Sequence, residues 1–155
     1  MGKINYSRVV LGGIIGGLVA FCIDFLVNGV WLGQQWIDAV GIRPNRLSTV
    51  AFIVFMILVW SVAGVLIVWV YAAILPRFGA SVRTALYAGV VPWVFGILLP
   101  GAVNVATGLI SLRLESKAIL ATLVTVVAAA LIGRALYKEA ESTLAYPTAA
   151  PQATR

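Results

Sequence analysis

The sequence contains no histidine and a single cysteine, Cys22. A lone cysteine cannot form a disulfide within the chain, and without a CxxC pair thiol–disulfide chemistry is not expected. The missing histidine removes the usual axial ligand of haem and the commonest ligand of copper and catalytic zinc. We therefore predict no metal site, and we expect Cys22, which lies in an apolar stretch, to be a small buried hydrophobic residue.

Charge is also scarce, because charged residues make up 10% of the 155 residues while 62% are hydrophobic. A soluble domain is roughly a quarter charged, and so few charges could not cover this much apolar surface in water. A bilayer removes that requirement. The composition therefore predicts an integral membrane protein of one domain.

The net charge of +6 comes from eleven basic and five acidic residues. The basic residues are scattered at the ends of apolar stretches, where they would meet anionic lipid headgroups. They form no stripe or motif of the kind that binds nucleic acid. We therefore predict the lipid bilayer as a partner and exclude nucleic acid.

Four apolar stretches are long enough to cross the ~30 Å hydrocarbon core, which takes about 20 helical residues. They cover residues 9–31, 50–75, 84–107 and 118–136. Because the connections are short, we predict an all-α fold: an antiparallel, up-down bundle of four transmembrane helices within residues 1–141. The sequence STLAYPTAAPQATR lacks periodicity, so residues 142–155 are expected to form a disordered C-terminal tail.

The basic residues that flank these stretches divide unequally between the two sides. One side would carry Lys3, Arg8, Arg77, Arg83, Arg134, Lys138 and Arg155, and the other Arg43, Arg46, Arg113 and Lys117. Cytoplasmic flanks are richer in Lys and Arg, so we expect both termini in the cytoplasm. In the longest loop, GQQWIDAVG predicts an amphipathic turn at the headgroup layer, and Ser48 is a candidate N-cap for the second helix.

Small residues indicate which helix faces pack together, because helices in lipid associate through close contact and buried polar groups. The GGIIGG motif supplies two overlapping small-xxx-small patterns in the first stretch. The residues predicted to pack between helices are Gly12, Gly13, Gly16, Gly17, Gly64 and Gly96.

Asp24 lies on the same helix face as Gly13 and Gly17, about four residues or ~6 Å outward of its helix midpoint. We expect its carboxyl to be neutral and to donate to an Asn or carbonyl oxygen. The polar residues predicted to gather around it in the outer half of the bilayer are Asp24, Asn28, Ser61, Asn104, Thr122 and Thr125. An intramembrane carboxyl suggests an ion, proton or ligand site. The alternative is a purely structural hydrogen-bonded pair of Asp24 and Asn28.

Two tryptophans, Trp60 and Trp93, fall near the middle of the bilayer rather than in its interfacial belt, and their indole N–H groups need acceptors there. They either pack in the core or form a stacking surface for a ligand. A bound lipid, quinone or pigment would be held without histidine ligation. Two prolines in the third stretch, Pro92 and Pro100, predict kinks.

The opening INYSRVVLGGIIGGLVAFCIDFLVNGVWLGQQWIDAVG resembles a loose group of uncharacterised small four-helix bacterial inner-membrane proteins. Its members share an Ile-Asn-aromatic lead, a glycine-rich first helix with an acidic residue and Asn, and a Trp before a short loop. The similarity covers about the first 45 residues and the four-helix layout. It implies this topology and a bacterial inner membrane, and it implies nothing about chemistry.

Two functions remain after catalysis is considered. Because the chain has no histidine, no cysteine pair and no second carboxylate expected within the membrane, we do not predict an enzyme. The first function is a structural or accessory subunit of a larger membrane complex, of the respiratory or photosynthetic kind, bound to another membrane protein or to itself. The second is a small oligomeric transporter or channel that uses Asp24 and Asn28.

Overall fold

The computed structural model describes residues 4–41 and 48–138, and every regular element in that part of the chain is helical. Four helical stretches are long and apolar enough to cross a membrane. They are Tyr6–Trp31, Thr49–Phe78, Val82–Ala106 and Leu112–Leu136, here named the first to fourth spans. The predicted all-α class with four such helices is therefore confirmed. The predicted tail and the loop residues Arg43 and Arg46 lie outside the described residues.

The first span consists of helix α1 (Tyr6–Asp24) and a π-helical segment (Phe25–Trp31). The Asn5 side chain caps α1 by accepting from the Arg8 backbone N–H at 3.2 Å. This bond satisfies one of the amides that a helix N-terminus leaves without an intrahelical partner.

Helix α2 (Gly33–Val40) follows where the sequence predicts an amphipathic turn. It ends at Gly41, whose φ of 77° is readily adopted only by glycine. The Lys117 ammonium of the fourth span donates to the Gln35 side-chain oxygen at 2.9 Å. This contact fixes α2 beside the start of the fourth span.

The second span is a single helix, α3 (Thr49–Phe78). The Ser48 hydroxyl accepts from the Ala51 N–H at 3.3 Å, which confirms the predicted N-cap. The helix passes through Pro76 and ends at Phe78, three residues beyond the predicted end at residue 75, with Gly79 as its C-cap. Proline removes one intrahelical hydrogen bond, and near the last turn of a long apolar helix this loss does not stop the helix at once.

The third span consists of α4 (Val82–Trp93), a π-helical segment (Val94–Leu98) and α5 (Leu99–Ala106). Pro92 and Pro100 lie on either side of the π-helical segment. Each proline lacks a backbone N–H and so removes one hydrogen bond of the α pattern, which favours a wider, π-helical turn between them. The predicted kinks stay a prediction.

The fourth span is α6 (Leu112–Leu136), which begins six residues before the predicted start at 118. Ser111 caps it, since its hydroxyl accepts from the Leu114 N–H at 3.4 Å. Glu115 lies in the first turn, where a negative charge interacts favourably with the helix dipole. The cap and the helix dipole thus extend the helix through charged residues that were predicted to lie in the connection.

The first and second spans touch through backbone atoms. A Cβ added at Gly13 would collide with the backbone of Val65, and one added at Gly17 would collide with the backbone of Trp60. Conversely, a Cβ at Gly64 would collide with the backbone of both Gly13 and Gly17. Only glycine allows the helices to approach this closely.

The first and fourth spans meet in the same way. A Cβ at Gly12 would lie 3.3 Å from the Gly133 carbonyl oxygen, and one at Gly16 would lie 2.9 Å from that of Ala129. We call Gly12, Gly13, Gly16, Gly17, Gly64 and Gly133 the glycine junction. Gly96, the sixth predicted packing residue, differs: a Cβ there would meet nothing within 4 Å.

The outer surface is apolar, and the four spans differ in how much of their own surface is exposed. In the most apolar stretch of the second span 11% of residues are buried, against 33% in the first and fourth spans. Large exposed side chains follow one face of this helix at helical spacing: Phe55, Leu58, Val62, Leu66 and Trp69. We call them the α3 stripe. Cys22 is exposed, which corrects the expectation that it is buried.

Candidate functional site

Asp24 lies at the centre of four hydrogen-bonded side chains, all of them partly buried. The Asn28 amide donates to Asp24 Oδ1 at 2.8 Å, and the Trp60 indole Nε1 donates to Oδ2 at 3.3 Å. The Trp36 indole Nε1 donates in turn to Asn28 Oδ1 at 3.2 Å. These four residues form the Asp24 network.

Each member of the network comes from a different helical segment. Asp24 ends α1, Asn28 lies one turn later in the π-helical segment, Trp36 lies in α2 and Trp60 in α3. The backbone N–H of Leu32 bonds the Val27 carbonyl five residues back, at 2.7 Å, where the chain turns into α2. The network therefore connects the first span both to α2 and to the second span.

The hydrogen bonds differ from the expectation that the Asp24 carboxyl donates. Because Asn28 Oδ1 accepts from Trp36, the amide nitrogen of Asn28 must be the atom that faces Asp24. Trp60 Nε1 can only donate. Both carboxyl oxygens of Asp24 are therefore acceptors in this geometry.

The other predicted polar residues do not join this network. The hydroxyls of Thr122 and Thr125 donate to carbonyls of their own helix, Ala118 at 2.6 Å and Ala121 at 3.0 Å. Ser61 lies at the glycine junction, where its Cα would be 2.7 Å from a Cβ at Gly17. These residues were predicted to converge because of the helix faces on which they lie, but in the structure they form separate contacts.

The sixth, Asn104, belongs to a second polar site around Glu115. The Asn104 amide donates to Glu115 Oε1 at 3.4 Å, and Gly101 leaves room for this oxygen. Glu115 is only 7% exposed, and its Oε2 has no hydrogen-bond partner within the described residues. Glu115 precedes the predicted fourth stretch, and its burial places a second carboxyl group inside the bundle.

The two central tryptophans line a groove on the side of the bundle, with a volume of about 330 Å³. We call it the lateral groove. Its walls are almost wholly apolar and include Trp60, Ile67, Gly89, Trp93, Gly96 and Val126. Trp60 belongs to the Asp24 network as well, whereas the indole N–H of Trp93 is buried and has no partner in residues 4–41 and 48–138.

Two residues of these sites were missed as site members, and helical spacing could have indicated both. Trp36 follows Asn28 by eight residues, about two helical turns, so it continues the same face. Glu115 precedes Ala118 and Thr122 by three and seven residues and so continues the small-residue face of the fourth span. Their chemical type, a tryptophan and a charged residue, indicated the headgroup layer and a connecting loop instead of a site.

Comparison with family models, curated proteins and solved structures finds no match for this chain. Its function is therefore argued from the two polar sites, the lateral groove and the outer surface.

Proposed function

We propose that the protein is a structural or accessory subunit of a larger membrane complex, such as a respiratory or photosynthetic complex, and that it has no catalytic activity of its own. The proposal includes a bacterial inner membrane as its location. The observation that carries it is the exposed α3 stripe on the second span, the least buried of the four.

The interior of the bundle supports this role over transport by a single chain. At the glycine junction the first span contacts the second and fourth spans at backbone distance, so no path for a solute passes between them. Within the Asp24 network each carboxyl oxygen already accepts a hydrogen bond. Such an interior holds helices together, and the large apolar face lies outside it.

The proposal also includes an antiparallel arrangement with both termini in the cytoplasm. Residue numbers run in opposite directions where helices meet: Gly12 faces Gly133 while Gly16 faces Ala129. At the other contact, Gly13 faces Val65 while Gly17 faces the backbone at Trp60. This pairing, together with the excess of Lys and Arg on the side of both termini, supports the up-down topology.

Site-specific photocrosslinking in intact membranes tests the subunit proposal. A photoreactive amino acid at Leu58 or Leu66 of the α3 stripe should yield one discrete crosslinked product, either with another polypeptide or with a second copy. The control position is Val124, which is 61% exposed on the fourth span. Here we expect no protein product. Equal behaviour at all three positions, with only the free 16.4 kDa chain after mild solubilisation, would contradict the proposal.

A small oligomeric transporter or channel is the second candidate, and the buried Glu115 favours it. Together with Asp24, Glu115 gives the bundle two carboxyl groups. Transport paths through a membrane use ionisable groups of this kind. Flux of ions or protons into liposomes containing the purified chain would support this candidate, provided that Asp24→Asn abolishes it and leaves the oligomeric state unchanged. Absence of flux in both forms would remove it.

A further inference from the structure

The lateral groove combines three features that core packing alone does not explain. A Cβ at Gly96 would meet nothing within 4 Å, so this part of the wall is open. The segment that carries Gly96 is π-helical, a conformation that frequently occurs at functional sites. The volume of about 330 Å³ is at the lower end of the roughly 300–1,000 Å³ typical of small-molecule pockets.

The groove is also lined by a residue with an unsatisfied donor, the indole N–H of Trp93. The residue is 8% exposed, and its Nε1 is enclosed without a hydrogen-bond acceptor among the described residues. Leaving such a donor unbonded in an apolar environment is unfavourable, because it loses its hydrogen bond to water and gains none in return. Trp60, which also lines the groove, has its own N–H bonded to Asp24, so it offers the groove its ring and not its donor.

The depth of Trp93 restricts the molecules that could supply an acceptor. Trp93 lies eleven residues after Val82 and thirteen before Ala106, at the middle of a 25-residue span. Phospholipid ester oxygens lie about 15 Å away, at the edge of a ~30 Å hydrocarbon core. An acyl chain has no acceptor at this depth, whereas a hydrophobic molecule with a ring carbonyl carries one into the membrane.

We propose that the lateral groove binds a membrane-dissolved cyclic ketone of the quinone class. Its ring lies between Trp60 and Trp93, and one carbonyl oxygen accepts a hydrogen bond from Trp93 Nε1. Because Nε1 is enclosed by protein in this structure, the bond requires a rotation of the indole ring. The rotation gives the N–H group a hydrogen bond that it otherwise lacks. The site lies within one chain and requires no partner protein.

Binding of menadione to the chain in phosphatidylcholine nanodiscs tests this site. The amount of menadione bound in excess of the amount in protein-free discs should saturate at one molecule per chain. Trp93→Phe keeps an aromatic ring and removes the donor, so the dissociation constant should rise about five- to tenfold, the equivalent of one hydrogen bond. Methylnaphthalene, which has a similar ring system and no carbonyl, should bind weakly and equally to both proteins.

A pair of glycine substitutions locates the binding. Gly96→Leu places a side chain in the open part of the groove and should abolish saturable binding. The matched control is Gly29→Leu in the other π-helical segment, where a Cβ would meet only the Phe25 ring, at 3.2 Å, and binding should be unchanged. If Gly96→Leu does not fold, as judged by circular dichroism and gel filtration, the Trp93→Phe comparison decides.

Three results would overturn the inference. One is menadione uptake that increases linearly with menadione concentration and never exceeds the uptake of protein-free discs. This result would mean that acyl chains cover the groove. The second is an unchanged menadione affinity in Trp93→Phe. The third is equal affinity for menadione and methylnaphthalene. None of them bears on the crosslinking of the α3 stripe, so this inference and the subunit proposal fail separately.

Discussion

Trp60 is the residue with two environments: its indole N–H bonds the Asp24 carboxyl, and its side chain forms part of the lateral groove. A carboxyl in the membrane is costly when it faces lipid, and here two donors from the same chain bond it. The Trp60 bond is the one between spans, so it is the contact through which Asp24 stabilises the tertiary fold.

A double-mutant cycle should measure this contact. The unfolding free energies of Asp24→Ala, Trp60→Phe and the double variant, obtained in mixed micelles, should give a coupling energy of about 0.5–1.5 kcal/mol, because hydrogen bonds between membrane helices lie in that range. The control pair combines Asp24→Ala with Trp69→Phe, since Trp69 is an exposed tryptophan on the same helix. That pair should be additive within about 0.3 kcal/mol. Equal coupling in both cycles would contradict the contact.

At the scale of helices, the glycine junction is the closest contact between the spans, while the Lys117 ammonium of the fourth span lies 5.7 Å from the centre of the Trp31 ring of the first. Within residues 4–41 and 48–138 no ion pair joins two spans, and the closest contacts are those of glycines with backbone. Close approach of this kind allows many van der Waals contacts, which are the main attraction between helices in lipid.

Two glycine-to-alanine substitutions should separate packing from backbone conformation. Gly64→Ala places a methyl group against the backbone of the first span and should lower the unfolding free energy by about 1–3 kcal/mol, the usual cost of overpacking. Gly96→Ala adds the same methyl group where nothing lies within 4 Å. Its effect should stay within about 0.5 kcal/mol, as for a surface substitution. Chemical or thermal unfolding in the same micelles compares the two variants, and similar losses would argue against the junction.

The elements were largely predictable because each span is a long apolar run bounded by charged residues. The ends of the helices were harder to predict. The start of α6 was missed by six residues because a cap at Ser111 and a buried Glu115 extend the helix through a charged sequence. The site was only partly predictable: helical spacing places Asp24 beside Asn28, but it does not determine how far neighbouring helices rotate. That rotation brings Trp60 to Asp24, whereas Thr122 and Thr125 bond carbonyls four residues back in their own helix, a local alternative open to any helical threonine.

The proposed topology of the whole molecule can be tested with its single cysteine removed. In a Cys22→Ser background, Ala80→Cys lies in the connection between the second and third spans, and Leu109→Cys lies in that between the third and fourth. A membrane-impermeant maleimide should label Leu109→Cys in intact cells, and it should label Ala80→Cys only after the membrane is opened. The reverse pattern would place both termini outside, and labelling of both in intact cells would contradict an up-down topology.

The glycine junction has a mechanical consequence for the whole molecule. Helices whose backbones lie this close together resist sliding lengthwise past one another, so we expect the first, second and fourth spans to move together as one body. Bilayers of different thickness are then matched by leaning this body as a unit or by deforming the surrounding lipid, and not by changing the helix register. The third span, with two prolines and a wider turn, is the part that can bend independently.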